Sequence, residues 1–377
     1  MDNLRHLQVC FFPHDSSMLN NALFENSPMS NFKKILESYN IKCDTNDCCN
    51  PEKSDFLVFH RLDLVIDKVY RAIRNNTKCK LILFAFEEPV VCGLHEEDIL
   101  PFLDLDHVFC WRDDLLEFEH VVKANIPQDL TIPVYKDIDF HNRKAIIAID
   151  GNKSSRHPNE AYSLRRSVIK ELLHAGVEVD MYGRDWHRSQ DSILKSIWLG
   201  EVERKLPIQS QYRLTLCIQN SKNYPGNICE KIFDAFKAGS IPIYHGAPNI
   251  EKYIDPNCFI DLRGFYDNKS LSDFVLTFTE IQYNEKRKAI DTFMHSESSF
   301  CFSGEYLARS FVGQIQKSLC EPKEATVRSA KKWIFQVFIL AFRRCFRYPC
   351  SSKVFSFYLL VKGLSRLMKY YFPFGKR

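Results

Sequence analysis

The stretch that decides the fold is Leu214-Thr215-Leu216-Cys217-Ile218, then Gln219-Asn220-Ser221-Lys222-Asn223-Tyr224-Pro225-Gly226-Asn227-Ile228-Cys229, then Glu230-Lys231-Ile232-Phe233-Asp234-Ala235-Phe236-Lys237-Ala238-Gly239, and Ile241-Pro242-Ile243-Tyr244. Its first five residues are an apolar run of buried-strand length, and the Asn/Ser/Pro/Gly cluster behind them marks a loop. Ile232, Phe233, Ala235 and Phe236 share one helical face, and Gly239 stands where a left-handed residue would close that helix. Ile241–Tyr244 is the next apolar strand. A strand–loop–helix–strand unit follows, with its loop emptying onto a helix start at Glu230-Lys231. Unpaired N–H groups and a partial positive charge suit such a start to phosphate, and Lys231 adds a full charge. Glu230 suits other tasks. It could accept hydrogen bonds from sugar hydroxyls, stabilise positive charge on a sugar ring, or merely offset the helix dipole.

Working outward, a chain of 377 residues exceeds what one core supports, so two domains are expected. Leu7–Phe12, Phe56–Phe59 and Leu81–Phe86 read as strands, with helices over Asn31–Tyr39 and Leu62–Arg74 between them. Strands alternating with helices predict a parallel α/β sheet. Around Pro127, Pro133, Asp137 and Asp139 periodicity is lost, which reads as a linker. A second α/β set starts at Lys144 with the strand Ala145–Ile149. The polar loop Gly151–Ser155, containing Lys153, could hold an anion through its backbone. A helix over Leu164–Ala175 carries Arg165 one turn inside, and Val177–Tyr182 is another strand. The expected division is 1–135, 142–320 and a separate tail, 321–377.

Beyond the strand ending at Phe86 stands Glu87-Glu88-Pro89. Ligands collect past the carboxyl ends of strands in open α/β sheets, and adjacent carboxylates in a crevice raise one another's pKa, as a general base requires. A solvated turn would look the same.

The run Asn220-Ser221, Tyr224-Pro225-Gly226, Glu230-Lys231-Ile232, Ala238-Gly239, Ile241-Pro242-Ile243-Tyr244, Gly246 resembles the donor-site signature of the α-1,3-fucosyltransferases, glycosyltransferase family 10. Three positions depart from that pattern: Gln219 replaces a Glu, Asn227 a Tyr and Cys229 a Thr. Phe24-Glu25-Asn26-Ser27 spells part of the signature too, but no Glu-Lys helix follows it. The resemblance extends from about Phe56 to Phe265, including Trp111-Arg112-Asp113-Asp114-Leu115, Tyr182-Gly183, Lys205 and Tyr212-Arg213. It implies a GT-B architecture, two Rossmann-like domains facing across a cleft, the first for a glycan acceptor and the second for GDP-fucose. Matching through Pro89 selects Glu87 as the base. It also implies that Arg165 and Lys231 neutralise the departing GDP, that Glu230 is catalytic, and that Asn220 and Tyr224 bind substrate; Asn227, at a departing position, and Lys153, of the polar loop, are further candidate substrate-binding residues. The implied reaction is inverting α-1,3(/4)-fucosyl transfer to an N-acetylglucosamine-type sugar, for example in lipopolysaccharide O-antigen. The other readings are a GT-B enzyme using a different nucleotide sugar and a non-catalytic glycan-binding protein docked at a membrane. No Asp-x-Asp motif ends a strand of the second domain, so no obligatory metal is expected, with stimulation by divalent ions left open.

After Glu324 there are twelve cations and no carboxylate; the body keeps 39 cations against 47 carboxylates. Body and tail therefore meet different partners. Trp333–Phe342 is apolar apart from Gln336, and Val354–Met368 interleaves Phe, Leu and Met with Lys362 and Arg366, together the pattern of a basic amphipathic helix lying on an anionic membrane rather than of a nucleic-acid-binding arm. Helix packing on the body is the alternative. Fourteen irregularly spaced cysteines, several inside apolar runs, favour a reducing compartment. Cys43, Cys48 and Cys49 cluster without zinc-finger spacing. Leu7–Phe12 is shorter than a signal-peptide core, and no run reaches the length of about eighteen apolar residues needed for a span. A cytoplasmic protein, peripheral on the inner face of the membrane, is expected.

Overall fold

A computed structural model describes residues 6–25, 27–61, 69, 71–76, 78–91, 104–131, 138–265, 268–320 and 336. Its strands are β1 (Leu7–Phe12), β2 (Ile41–Thr45), β3 (Phe56–Phe59), β4 (Lys80–Ala85), β5 (His107–Cys110), β6 (Val121–Lys123), β7 (Lys144–Ile149), β8 (Val179–Tyr182), β9 (Tyr212–Ile218), β10 (Ile241–His245) and β11 (Ile260–Asp261). The helices used below are α1 (Ser30–Ser38), α2 (Tyr162–His174), α3 (Lys205–Gln209), α4 (Glu230–Ala238), α5 (Glu280–Met294) and α6 (Gly304–Cys320). The chain forms two compact units. One takes the described residues up to Pro127 and from Phe302 on, and the other takes Gln128–Cys301.

In the first unit six strands pair in parallel in the order β2-β1-β3-β4-β5-β6. Strands covered on both faces need no alternation, so β1, β3 and β4 read as continuous apolar runs. Cys10, Phe12, Leu57, Phe59, Leu81 and Leu83 face one core. Val9, Phe11, Phe56, Val58, Ile82 and Phe84 face the other, against α1 and α6. Edge strand β2 carries an exposed Lys42, which blunts further pairing, and β6 has only three residues. Neither these two nor β5 stood out in the sequence as a strand.

The expected second domain, 142–320, is cut short by α6, which packs on the first unit. Leu307, Ala308, Phe311, Val312 and Ile315 form a helical stripe that buries against β1 and β4. Phe311 sits 5.4 Å from Phe32, 5.8 Å from Phe84 and 5.5 Å from Phe109 between ring centroids. The entry to α6 requires glycine, because a Cβ on Gly304 would lie 1.8 Å from the Pro28 carbonyl oxygen. The helix expected over Leu62–Arg74 is described only at 69 and 71–75, and residues 132–137 of the expected linker lie outside the described residues. So does the tail beyond Cys320, apart from Gln336.

The second unit is a five-stranded parallel sheet in the order β11-β10-β9-β7-β8. Read from β8, it repeats the 2-1-3-4-5 order with which the first unit begins, and its order reverses between β7 and β9. Helix α4 buries Ile232, Phe233, Ala235, Phe236 and Ala238 and ends on Gly239 at φ +70°. A side chain there would also strike Arg287 and Arg143.

Candidate functional site

Ligands of doubly wound sheets bind beyond the strand ends where the order reverses. In the second unit that place lies past Ile149 and Ile218, where the chain continues as Asp150 and as Gln219-Asn220. Helix α4 starts beside it. Its nine residues have no side-chain cap, since Cys229 at the N-cap makes no capping bond. First-turn N–H groups and Lys231 thus supply positive potential together.

Arg165 and Lys231, the two cations expected to meet phosphate, converge on Asp150. Lys231 Nζ lies 2.7 Å from Oδ1, and Arg165 Nε 3.0 Å from Oδ2. The Asp150 side chain is 2% exposed. Arg165 Nη2 also donates to the Ile218 and Gln219 carbonyls at 2.6 and 3.1 Å. Buried and held by this ion pair and two carbonyls, Arg165 adds positive potential at the strand ends. Burial pulls the Lys231 ammonium's pKa down, but Asp150 more than reverses this, and the net shift is upward. Lys231 is therefore a permanent cation.

Glu230 reaches the surface at the helix start. The protein packed around it penalises its charge, yet Lys231, then Lys205 of α3, and a hydrogen bond from Cys229 hold its carboxyl below the ordinary glutamate value. A charged carboxylate one residue from Lys231 can meet polar or cationic parts of a ligand whose anionic part faces the lysine.

The loop after β9 is built on backbone bonds to residues 157–161. Ala161 N–H donates to Asn220 O at 2.9 Å and Lys222 N–H to Asn159 O at 2.8 Å. The Tyr224 hydroxyl meets His157 Nε2 at 3.4 Å. Asn227 is fully buried; its Nδ2 donates to Ser221 Oγ at 3.1 Å, and its carbonyl accepts from the Tyr244 hydroxyl at 2.9 Å. These bonds hold the loop closed from within. The other two departures meet each other, since Cys229 Sγ donates to Gln219 Oε1 at 2.6 Å. A neutral amide and thiol thus replace a carboxylate and hydroxyl as partners. Asn220 is half-buried. Lys153 is exposed, and its carbonyl accepts a hydrogen bond from Arg166.

Glu87 belongs to the first unit and follows β4 half-buried, with Glu88 buried beside it. Trp111 Nε1 donates to the Phe86 carbonyl at 3.0 Å, so the Trp-Arg-Asp-Asp-Leu stretch braces the segment carrying Glu87. Sequence reading missed Asp150, His157 and the Gln219–Cys229 pair. Asp150 was within reach, because it directly follows an apolar strand just as Glu87 follows β4.

Residues 152–298 match the model of the glycosyltransferase family 10 (fucosyltransferase) C-terminal domain. The α-(1,3)-fucosyltransferase FucT of Helicobacter pylori is 35% identical over 74 residues, 20% of this chain and only 15% of that protein's length. A crystal structure of α1,3-fucosyltransferase with GDP-fucose superposes with TM-score 0.51 at 16% identity, over 82% of this chain and 90% of that one. Anabaena HepE in complex with UDP and glucose superposes with TM-score 0.54 at 9% identity, over 83% and 100%. At these identities the superpositions speak for the fold, two parallel α/β domains of the GT-B kind.

Proposed function

We propose that this chain, whose residues 152–298 match the glycosyltransferase family 10 C-terminal domain, is an inverting fucosyltransferase using GDP-fucose. The observation that carries this reading is the uncapped start of α4 with Glu230 and Lys231, beside the strand ends where the second sheet reverses order. A nucleoside diphosphate would lie against that helix start with its negative charge toward Lys231 and the field of Arg165. Glu230 and Asn220 would orient the sugar. Glu87 would take the proton of the acceptor hydroxyl as its oxygen bonds to the anomeric carbon and the bond to GDP breaks. Tyr224 would shape the loop from its contact with His157. No step uses a metal, although divalent ions could stimulate release of the diphosphate.

The acceptor is an N-acetylglucosamine-type sugar in a glycan such as lipopolysaccharide O-antigen. The basic tail would hold the enzyme on the cytoplasmic face of an anionic membrane beside it. No described helix is long and apolar enough to cross a membrane. The neutral Gln219–Cys229 pair favours, as a second reading, a nucleotide sugar other than GDP-fucose.

Transfer and hydrolysis assayed over a panel of nucleotide sugars and oligosaccharide acceptors test this reading. Turnover with GDP-fucose alone supports it, a preference for another donor selects the second reading, and binding without turnover indicates a lectin-like protein. Removing residues 328–377 should abolish salt-sensitive binding to anionic vesicles and keep activity on small acceptors; a truncated protein that still sediments with vesicles would show a different anchor.

A further inference from the structure

We propose that Asp150 is a positioning residue that holds Lys231 ready while the site is empty, yields it to the diphosphate of the donor, and takes it back as GDP leaves. This rests on the diphosphate-binding role proposed above. The two cations on Asp150 are not equally free. Arg165 is ion-paired with Asp150 Oδ2 and hydrogen-bonded to Ile218 O and Gln219 O, and its side chain is 3% exposed. Lys231 has a single ionic partner among the described residues, Asp150, and its side chain is 15% exposed. A small rotation of the lysine's flexible stem would carry its ammonium from one anion to another, while Arg165 stays.

The Asp150 backbone cannot follow. Its N–H donates to Tyr182 O at 3.0 Å, and its carbonyl accepts from Trp186 Nε1 at 2.6 Å. Gly183, at φ +132°, lies so close that a Cβ on it would stand 1.9 Å from the Asp150 carbonyl oxygen. The Tyr182-Gly183 turn and Trp186 therefore fix the backbone from which this carboxylate projects, at the reversal point of the sheet. One fixed carboxylate between two cations leaves a net charge of about +1, enough to attract a diphosphate without trapping it.

The test has two arms. In the wild-type protein, the side-chain NMR signals of Lys231 should shift on adding inorganic pyrophosphate or GDP, while those of Arg165 Nε keep their place. Equal shifts in both, or none in Lys231, would overturn the inference. In Asp150→Asn, GDP should bind at least threefold tighter, and kcat and the donor KM should fall together because release is slowed. A raised donor KM with unchanged kcat, or wild-type values throughout, would show that Asp150 is only structural. Failure of the two proposals is distinguishable. If no donor is turned over but pyrophosphate still shifts Lys231, the fucosyltransferase reading falls and Asp150 keeps its role.

Discussion

The two units begin with the same 2-1-3-4-5 strand order and put opposite chemistry at the place where the order reverses. In the second unit that place is ionic, with Asp150 between Arg165 and Lys231. In the first it lies past Phe12 and Phe59, and it is aromatic. His14 and His60 meet through their Nδ1 atoms at 3.3 Å, and His60 stacks on Phe84 at 5.8 Å with Phe86 at its edge. A charged end suits a diphosphate, whereas aromatic and imidazole faces suit the apolar face of a neutral ring. Topology sets where a ligand can lie, and the first residues past each strand set which ligand it is.

The largest expected effect would break this comparison at the first unit. Glu87→Ala should cut kcat by about 10²- to 10⁴-fold, as loss of a general base does, with little change in donor affinity. Glu88→Ala should cost far less. Steady-state kinetics of both variants decide it, and a dead Glu88→Ala with an active Glu87→Ala would move the role by one residue.

Phe311→Ala comes next and asks whether the units are separate in energy as well as in chemistry. Removing a fully buried ring from α6 should destabilise the first unit by about 3–5 kcal/mol. GDP should still protect the second unit in a thermal melt. Loss of GDP protection in the variant would mean that α6 serves both units.

Glu230→Gln sharpens the ionic side. It should lower turnover about 10²- to 10³-fold with an unchanged melting temperature, because α4 packs through Ile232 and Phe236 and not through its first residue. A variant keeping a tenth of the activity would remove Glu230 from the chemistry.

The smallest effect separates the aromatic end from the ionic one by pH. Burial, and then His14, depress the His60 pKa to about 3. The unfolded chain binds a proton near the ordinary histidine value of about 6.5, and the folded chain does not, so stability falls as pH drops from there toward 3. The slope is at most about 1.4 kcal/mol per pH unit. His60→Phe should flatten denaturation midpoints between pH 7 and 5, and an unchanged slope would assign the acid sensitivity elsewhere. Lys231 contributes nothing in this window. Its pKa is raised by Asp150, so its stabilisation holds at every pH below the lysine range and is lost only above it.

Reading from residues alone placed the strand–loop–helix–strand around Gly239, because apolar period and glycine punctuation are local properties. It also placed Glu87 and Glu230 at element ends. The role of Arg165 came from resemblance, because nothing in a single helix reveals that the carbonyls of Ile218 and Gln219 and the carboxylate of Asp150 surround it. Asn227 reads as a lost tyrosine, yet its amide closes the loop onto Ser221 from within.

What the sequence determined by itself is the pair of parallel sheets and the helix start that can receive an anion, since both follow from hydrophobic period and from backbone groups left unpaired at helix ends. Only tertiary structure decided the owner of α6. Its apolar stripe would satisfy either sheet, and the fit of Phe311 among Phe32, Phe84 and Phe109 selects the first. Tertiary structure likewise decided the charge at the site, because Asp150, Arg165 and Lys231 lie on three separate elements. Their net charge exists only once packing brings them within about 3 Å and excludes water from between them.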